Sequence, residues 1–174
     1  FGNVGMHAAT FLAEAGAKII GVSDVSVALH NPNGLPIDKL KDYVRQHRQL
    51  FGCPHGEIIP SRDLLELHCD ILAPCALQNQ ITAANSSRIN CRILAEGANG
   101  PTTLEADDML DARGIIVLPD ILTNAGGVVV SYFEWVQGLQ TLTWPLEEIN
   151  RRMQGVLTDA LARTLRRSQA EKVD

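Results

Sequence analysis

No stretch of this sequence is long and apolar enough to suggest a membrane span. Gly, Pro and Asn interrupt the uncharged runs well before the ~20 apolar residues that a bilayer requires. A basic excess is also missing: the formal net charge is -5 and the one basic cluster lies near the C-terminus, which argues against a general nucleic-acid binder. The four cysteines, Cys53, Cys69, Cys75 and Cys91, lack C-x-x-C spacing, and neither Cys53-Pro54-His55 nor His68-Cys69 completes a zinc pattern. Buried free thiols are the expectation, since an unoxidised cysteine behaves as a small hydrophobe. No charged segment followed by an apolar one opens the chain, so no secretory signal is read and a cytoplasmic location is expected. What is present, 174 residues with 45% hydrophobic and 20% charged, suits one soluble domain able to bury roughly two thirds of its unfolded surface.

The first residues lack something as well. A dinucleotide fingerprint runs strand, G-x-G-x-x-G, helix. Here "FGNVG" starts at Phe1, so Gly2 and Gly5 take the places of the second and third glycines, and the first glycine and its strand are expected to be missing. One glycine lets the backbone approach a pyrophosphate and the other lets the helix pack on a sheet, while the helix N-terminus offers N–H groups to the anion. Asp24 follows Gly5 by 19 residues, close to where an acidic residue accepts bonds from the adenosine ribose. An ordinary strand-end aspartate is the alternative. A carboxylate there also repels a 2′-phosphate and leans the cofactor toward NAD, with Ser23 beside it leaving NADP open.

Along the chain, "MHAATFLAEA" predicts a helix stopped by Gly16, and "AKIIGV" a short buried strand ending at Ser23 and Asp24. "HNPNGLP" reads as loop, and Ile37, Leu40 and Val44 recur at helical spacing to about His47. "FGCPHGEIIP" reads as a second loop leading to Ser61, the expected N-cap of a short helix "RDLLEL". "CDILAPCA", "CRILAEGAN" and "GIIVLPDIL" each hold an apolar strand core followed by a turn, with helical pieces expected in "NQITAANSSRI" and "LEADDMLDARG". Strands alternating with helices predict an α/β fold: a Rossmann-like, doubly wound, mostly parallel sheet with helices on both faces and its first strand missing from the chain. The turns at Ser23-Asp24, Ala73 to Ala76, Glu96 to Gly100 and Pro119-Asp120 should then gather along one edge, where such sheets bind ligands. "NAGGVVVSYFEWVQ" predicts a glycine-led helix. Pro145, expected at a first helical position, opens a last helix with Ile149, Met153, Val156, Leu157, Ala160, Leu161 and Leu165 as its apolar stripe. Its arginines, Arg151, Arg152, Arg163, Arg166 and Arg167, are read as a solvated face.

"ILAEGANGPTTLEAD" followed by "GIIVLPDILTNAGGVVVSYFEWVQ" closely resembles the C-terminal, nucleotide-binding domain of the hexameric glutamate dehydrogenases. The match extends to "FGNVG", to "SD" before "NPNGL", to "DILAPCALQNQIT" and to the Trp-Pro-Leu-Glu-Glu helix, nearly the whole chain. Leucine, phenylalanine and valine dehydrogenases share the superfamily, but "AEGANGPTT" and "NAGG…SYFEW" look like the glutamate enzymes. The sequence departs from the familiar form at Cys75, where many relatives carry Ala, and at Leu104, where Pro is usual.

The resemblance implies roles. Gly2, Asn3 and Val4 would contact the pyrophosphate and adenosine half, Asp24 the ribose. Ala76 would line the cleft, Asn99 would bond the nicotinamide-side ribose, and Asn124 would hold the carboxamide or the adjacent substrate. From the residues alone, Asn99 and Asn124 are equally turn formers. Val128 and Ser131 share a helix face, and the resemblance has them reach the substrate, the hydroxyl on its distal carboxylate. Back-bonding of Ser131 to its own helix is the alternative. The implied reaction is NAD(P)-dependent oxidative deamination of L-glutamate to 2-oxoglutarate and ammonia, in a homo-oligomer, a hexamer, when the enzyme is complete. The catalytic lysine and aspartate belong, in the family, to a preceding substrate domain. Here Lys18, Lys39, Lys41 and Lys172 all lack a glycine-rich apolar setting that would lower a pKa, so no catalytic residue is assigned.

Residues 1–174 are therefore read as a dinucleotide-binding domain incomplete at its N-terminus, without its substrate domain, and the chain alone is expected to be inactive. The missing strand would be central in a doubly wound sheet. Three or so buried aliphatics at ~1.5–3 kcal/mol each would be lost, and two strand edges would lie open. Two other readings stay open at this point: a non-catalytic dinucleotide-binding or partner-docking module, and a different amino-acid dehydrogenase acting on Leu, Phe or Val.

Overall fold

The computed structural model describes residues 1–171, so Lys172 lies outside the described residues. The order is α1 (Asn3–Glu14), β1 (Gly21–Ser23), β2 (Ala28–His30), α2 (Ile37–His47), β3 (Glu57–Ile59), α3 (Ser61–Leu64), β4 (Ile71–Leu72), a 3-10 turn (Ser86–Arg88), β5 (Ile93–Ala95), α4 (Leu104–Asp111), β6 (Ile116–Leu118), α5 (Asp120–Thr123), α6 (Gly126–Gln140) and α7 (Leu146–Glu171). It is a mixed α/β chain with two three-stranded sheets. β4, β5 and β6 run parallel, as the apolar strand cores predicted. The sheet β1-β2-β3 is antiparallel, which corrects the mostly parallel expectation. The reason is chain length: four residues, Asp24 to Val27, join β1 to β2, and a parallel partner needs a crossover of a dozen or more.

Each sheet carries its own core. Around the antiparallel sheet, Leu29, Leu40 and Leu50 are fully buried, and Phe1, Val22, Leu35, Ile37 and Cys53 are nearly so. Around the parallel sheet, Ile81, Ile89, Leu94, Ala106, Leu110 and Ile115 close a second core. Burying one such side chain stabilises by about 1.5–3 kcal/mol. The boundary between the cores falls at α3. Leu64 lies over β1, its Cδ1 2.6 Å from where a β-carbon on Gly21 would stand, while Leu65 packs on the second core.

Several local expectations shift. α1 and α2 span the segments read as helical, and Gly16 takes the left-handed conformation at φ +92°. Ser61 is the first residue of α3 rather than its cap; Pro60 precedes it and no side chain caps the turn. Pro145 likewise stands just before α7, its carbonyl accepting from the Glu148 and Ile149 amides. In "NQITAANSSRI" only the 3-10 turn forms, because Asn85 occupies the backbone: its Oδ1 accepts the Thr82 N–H at 2.8 Å and its Nδ2 donates to the Gln80 carbonyl at 2.9 Å. Thr103 caps α4, accepting from the Ala106 amide at 3.4 Å, and Leu104 beside it is exposed, so the exchange from Pro disturbs nothing packed. On α7 the arginines lie exposed, and four of them pair along the helix, Arg151 and Arg152 to Glu148, Arg163 to Asp159, Arg167 to Glu171.

Candidate functional site

α1 begins with Gly2 extended (φ -89°, ψ -161°), with no side chain capping the first turn and no acidic residue in it. The N–H groups of that turn and the positive end of the helix dipole are thus free of an internal anion, the condition a pyrophosphate requires. Gly2, Asn3 and Val4 are all exposed there. The entry to α1 is tied to β1 by the Phe1 backbone nitrogen, which donates to the Ser23 carbonyl. Its first turn meets the turn after β4, where a β-carbon on Gly5 would lie 3.6 Å from Cys75 Cβ.

The three turns that follow the parallel strands are laced together. The Ala98 amide donates to the Pro74 carbonyl at 2.9 Å, joining the turns after β4 and β5. A β-carbon on Gly97 would stand 2.6 Å from Cys75 Sγ, so with the Cys75 thiol in this position a side chain at 97 is blocked. Between the turns after β5 and β6, the Asp120 amide donates to Glu96 Oε2 at 3.0 Å and the Gly100 amide donates to Asp120 Oδ2 at 2.7 Å. Asn124, at the far end of α5, donates from Nδ2 to Asn99 Oδ1 at 2.6 Å. Of the four strand-end turns expected at one edge, the three of the parallel sheet are therefore joined, which brings Asn99 and Asn124 into direct contact. The Ser23-Asp24 turn belongs to the antiparallel sheet and has no bond to these three among the described residues. Ala76 is exposed on the first of these turns.

Asp24, Val128 and Ser131 have more particular surroundings. Asp24 Oδ1 accepts from the Ser26 amide at 2.7 Å, the Ser26 hydroxyl at 2.6 Å and the Val27 amide at 3.1 Å, and Oδ2 accepts from the Leu50 amide at 2.6 Å. Burial pushes its carboxyl up, but the bonds from Ser26, Leu50 and Val27 outweigh this and hold it below the usual carboxylate value. Three of these donors share the two lone pairs of Oδ1 and only one meets Oδ2, so Oδ2 keeps a lone pair for a further donor. The Ser131 hydroxyl donates to the Gly127 carbonyl at 3.0 Å, the helix back-bond, and keeps its acceptor lone pairs outward. Val128 is 75% exposed on the same stretch of α6.

All four cysteines are free, with Cys53 and Cys91 buried and Cys69 and Cys75 half-buried. Burial pushes the Cys69 thiol up to about 11 and raises those of Cys75 and Cys91, so they are protonated at neutral pH. No cluster of three or more metal-ligating side chains occurs among the described residues. No helix among them is long and apolar enough to cross a membrane.

Residues 1–174 match the Glutamate/Leucine/Phenylalanine/Valine dehydrogenase family. The chain belongs to this family. It is 48% identical over 177 residues to an NAD-specific glutamate dehydrogenase of Staphylococcus aureus and 45% identical over 175 residues to a glutamate dehydrogenase of Thermotoga maritima. All of the chain is covered in both comparisons, but it spans only 42% of each relative's length. Among solved structures it superposes on the hetero-hexameric glutamate dehydrogenase of Thermus thermophilus with a TM-score of 0.92 at 24% identity, over 100% of this chain and 41% of that one, a likeness of fold.

The cross-turn bonds make two residues conspicuous that have no assigned role in the sequence pattern, Glu96 and Asp120. Each stood inside a turn already marked, yet nothing in the spacing singles them out. The one available signal was a charged residue directly after an apolar strand core, in "ILAE" and again in "VLPD".

Proposed function

We propose that this chain is the dinucleotide-binding part of an NAD-dependent glutamate dehydrogenase, a doubly wound, Rossmann-like domain that works with a separate substrate domain. The observation that carries the reading is the Asn124–Asn99 bond at 2.6 Å: two amide side chains from neighbouring strand-end turns meet at the edge that also presents the uncapped start of α1. The names of the Staphylococcus aureus and Thermotoga maritima relatives support the substrate and the cofactor. The doubly wound form rests on two edges. β1 and β4 each have one hydrogen-bonded neighbour among the described residues, and α1 enters between Ser23 and Cys75, at the ends of those two strands. A strand leading into Phe1 would join the sheets there.

In this reading the N–H groups at the start of α1, with Gly2, Asn3 and Val4, hold the pyrophosphate. Asp24 carries negative charge at the end of β1, which repels a 2′-phosphate and favours NAD, and gives its one remaining acceptor site to the ribose. Ala76 lines the cleft, and Asn99 and Asn124 orient the nicotinamide half. Val128 and Ser131 reach toward the substrate, the hydroxyl turning from Gly127 to a carboxylate. When bound, the dinucleotide supplies the hydride acceptor. Proton transfer at the α-amino group needs an amine or carboxylate of tuned pKa. Lys18 and Lys39 are exposed and Lys41 lies 3.5 Å from Asp38, so that group is assigned to the substrate domain. The assembled enzyme is a homo-oligomer, a hexamer.

The test is NADH formation by the full gene product given L-glutamate and NAD, with NADP, L-leucine, L-phenylalanine and L-valine as competitors for the assignment. Turnover preferring L-glutamate and NAD is expected. Preference for a branched or aromatic amino acid moves the chain elsewhere in its family, and dinucleotide binding with no turnover makes it a binding module. Residues 1–174 alone are expected to lack glutamate oxidation, and robust turnover by them would overturn the division of labour.

A further inference from the structure

We infer that Glu96 and Asp120 are positioning residues that hold Asn99 and Asn124 in one fixed relation for the nicotinamide half of the dinucleotide, an inference that rests on the dehydrogenase reading above. Glu96 is 7% exposed and is one of two buried polar residues among those described, the other being Ser86. It has no ion-pair partner among the described residues, and a carboxylate is costly to bury without compensation. The bond that compensates it reaches across strands, from the Asp120 amide at 3.0 Å.

Asp120 answers in the opposite direction, accepting the Gly100 amide at 2.7 Å. The turn after β5 grips the turn after β6, and is gripped by it. Enclosed between Glu96 and Gly100 is Asn99, and at the other end of the single helical turn that Asp120 starts is Asn124. The bond from Asn124 Nδ2 to Asn99 Oδ1 at 2.6 Å closes the ring. In this arrangement Asn99 Nδ2 and Asn124 Oδ1 have no partner among the described residues. A donor and an acceptor side by side match a primary carboxamide, whose carbonyl accepts and whose NH2 group donates. Releasing either carboxylate contact lets one turn slide against the other, and a shift of an ångström in such a pair is enough to lose orientation.

The experiment compares Asp120→Ala, which removes the acceptor for Gly100, with Asp120→Asn, which keeps an oxygen in its place, in the full gene product. Asp120→Ala is expected to raise KM for NAD about ten-fold and to lower kcat, with KM for L-glutamate changed less than about two-fold. Asp120→Asn is expected to recover KM for NAD to within about three-fold of wild type. Amide exchange at Gly100, read without any dinucleotide, is expected to be slow in the wild type and the Asn variant and fast in the Ala variant. Where Asp120→Ala is too unstable to purify, Glu96→Ala, which frees the Asp120 amide, gives the same KM shift. An Ala variant with fast exchange and unchanged KM, or an Asn variant as impaired as Ala, overturns the inference and leaves the dehydrogenase reading standing. A wild-type protein that binds no NAD overturns both.

Discussion

The two halves of this chain solve one problem with opposite charges. In the antiparallel half, Asp24 gathers backbone N–H groups from Ser26, Val27 and Leu50, and so ties β1 to a loop 26 residues away. In the parallel half, Arg113 gathers carbonyls: its Nη1 donates to Ser86 O and its Nη2 to Ile89 O at 2.6 Å, fastening the 3-10 turn to the end of α4. In each case the charged side chain pairs backbone groups of an irregular segment, and an unpaired buried group costs about as much as a lost hydrogen bond. A carboxylate suits a loop with surplus donors and a guanidinium suits one with surplus acceptors. The halves differ in consequence, because the carboxylate's hold on its donors weakens when acid protonates it.

The largest effect should come from the cores. Leu29→Ala and Leu94→Ala each remove a fully buried side chain and are expected to cost about 2–5 kcal/mol in urea unfolding. Hydrogen exchange should then rise chiefly in the half that holds the substituted leucine. A uniform rise across both would show that they form one cooperative unit and would break the comparison. Next in size, Gly97→Ala forces a β-carbon against Cys75 Sγ and is expected to cost about 1–3 kcal/mol. Adding Cys75→Ala should return much of that loss, a coupling that a double-mutant cycle reads directly.

Acid should separate the halves more gently. Asp24 has a lower pKa folded than unfolded, so its contribution is complete above the unfolded value near 4 and fades as pH falls through the folded one. Exchange at the Leu50 amide should therefore rise in acid before exchange in the second core does, and Asp24→Asn should flatten that dependence. At neutral pH Asp24→Ala is expected to cost about 1–2 kcal/mol in a thermal melt. The smallest effect belongs to Ser131→Ala, which removes only an exposed back-bond and should shift stability by less than about 0.5 kcal/mol. In the full gene product the proposed role predicts that it nevertheless raises KM for L-glutamate, and an unchanged KM would remove Ser131 from the proposed substrate contacts.

The same contrast explains what could be read in advance. α2 and α7 announce themselves by apolar residues at helical spacing, α1 by a run of good helix formers closed by Gly16, α4 and α6 as helical segments between and after the strands, and β4, β5 and β6 by apolar cores followed by turns. β2 and β3 do not. Each has three residues, β3 lies between Gly56 and Pro60 in a segment that reads as loop, and both are strands because they pair with each other rather than because of their own composition. The site divides in the same way. That the strand-end turns assemble at one edge follows from the α/β pattern and is present in the parallel half. The grip of Glu96 on the Asp120 amide, 24 residues away, is a contact between neighbouring strands and has no local signature. Asp24 shows the limit from the other side: its spacing from Gly5 marks it for a ribose, while its four internal donors arise from partners that spacing cannot reveal.

Between the halves stands α3, one turn long, with its last residue Leu64 over β1 and Leu65, which follows it in helical conformation, against the second core. Consecutive residues on a helix point about 100° apart. Inserting a single residue ahead of Leu64 would turn both leucines by that angle and swing each away from its own core. A surface loop of the same length absorbs an insertion by bulging outward. This turn has no such freedom: it behaves as a key cut for two locks, and the spacing of its teeth keeps the halves in phase.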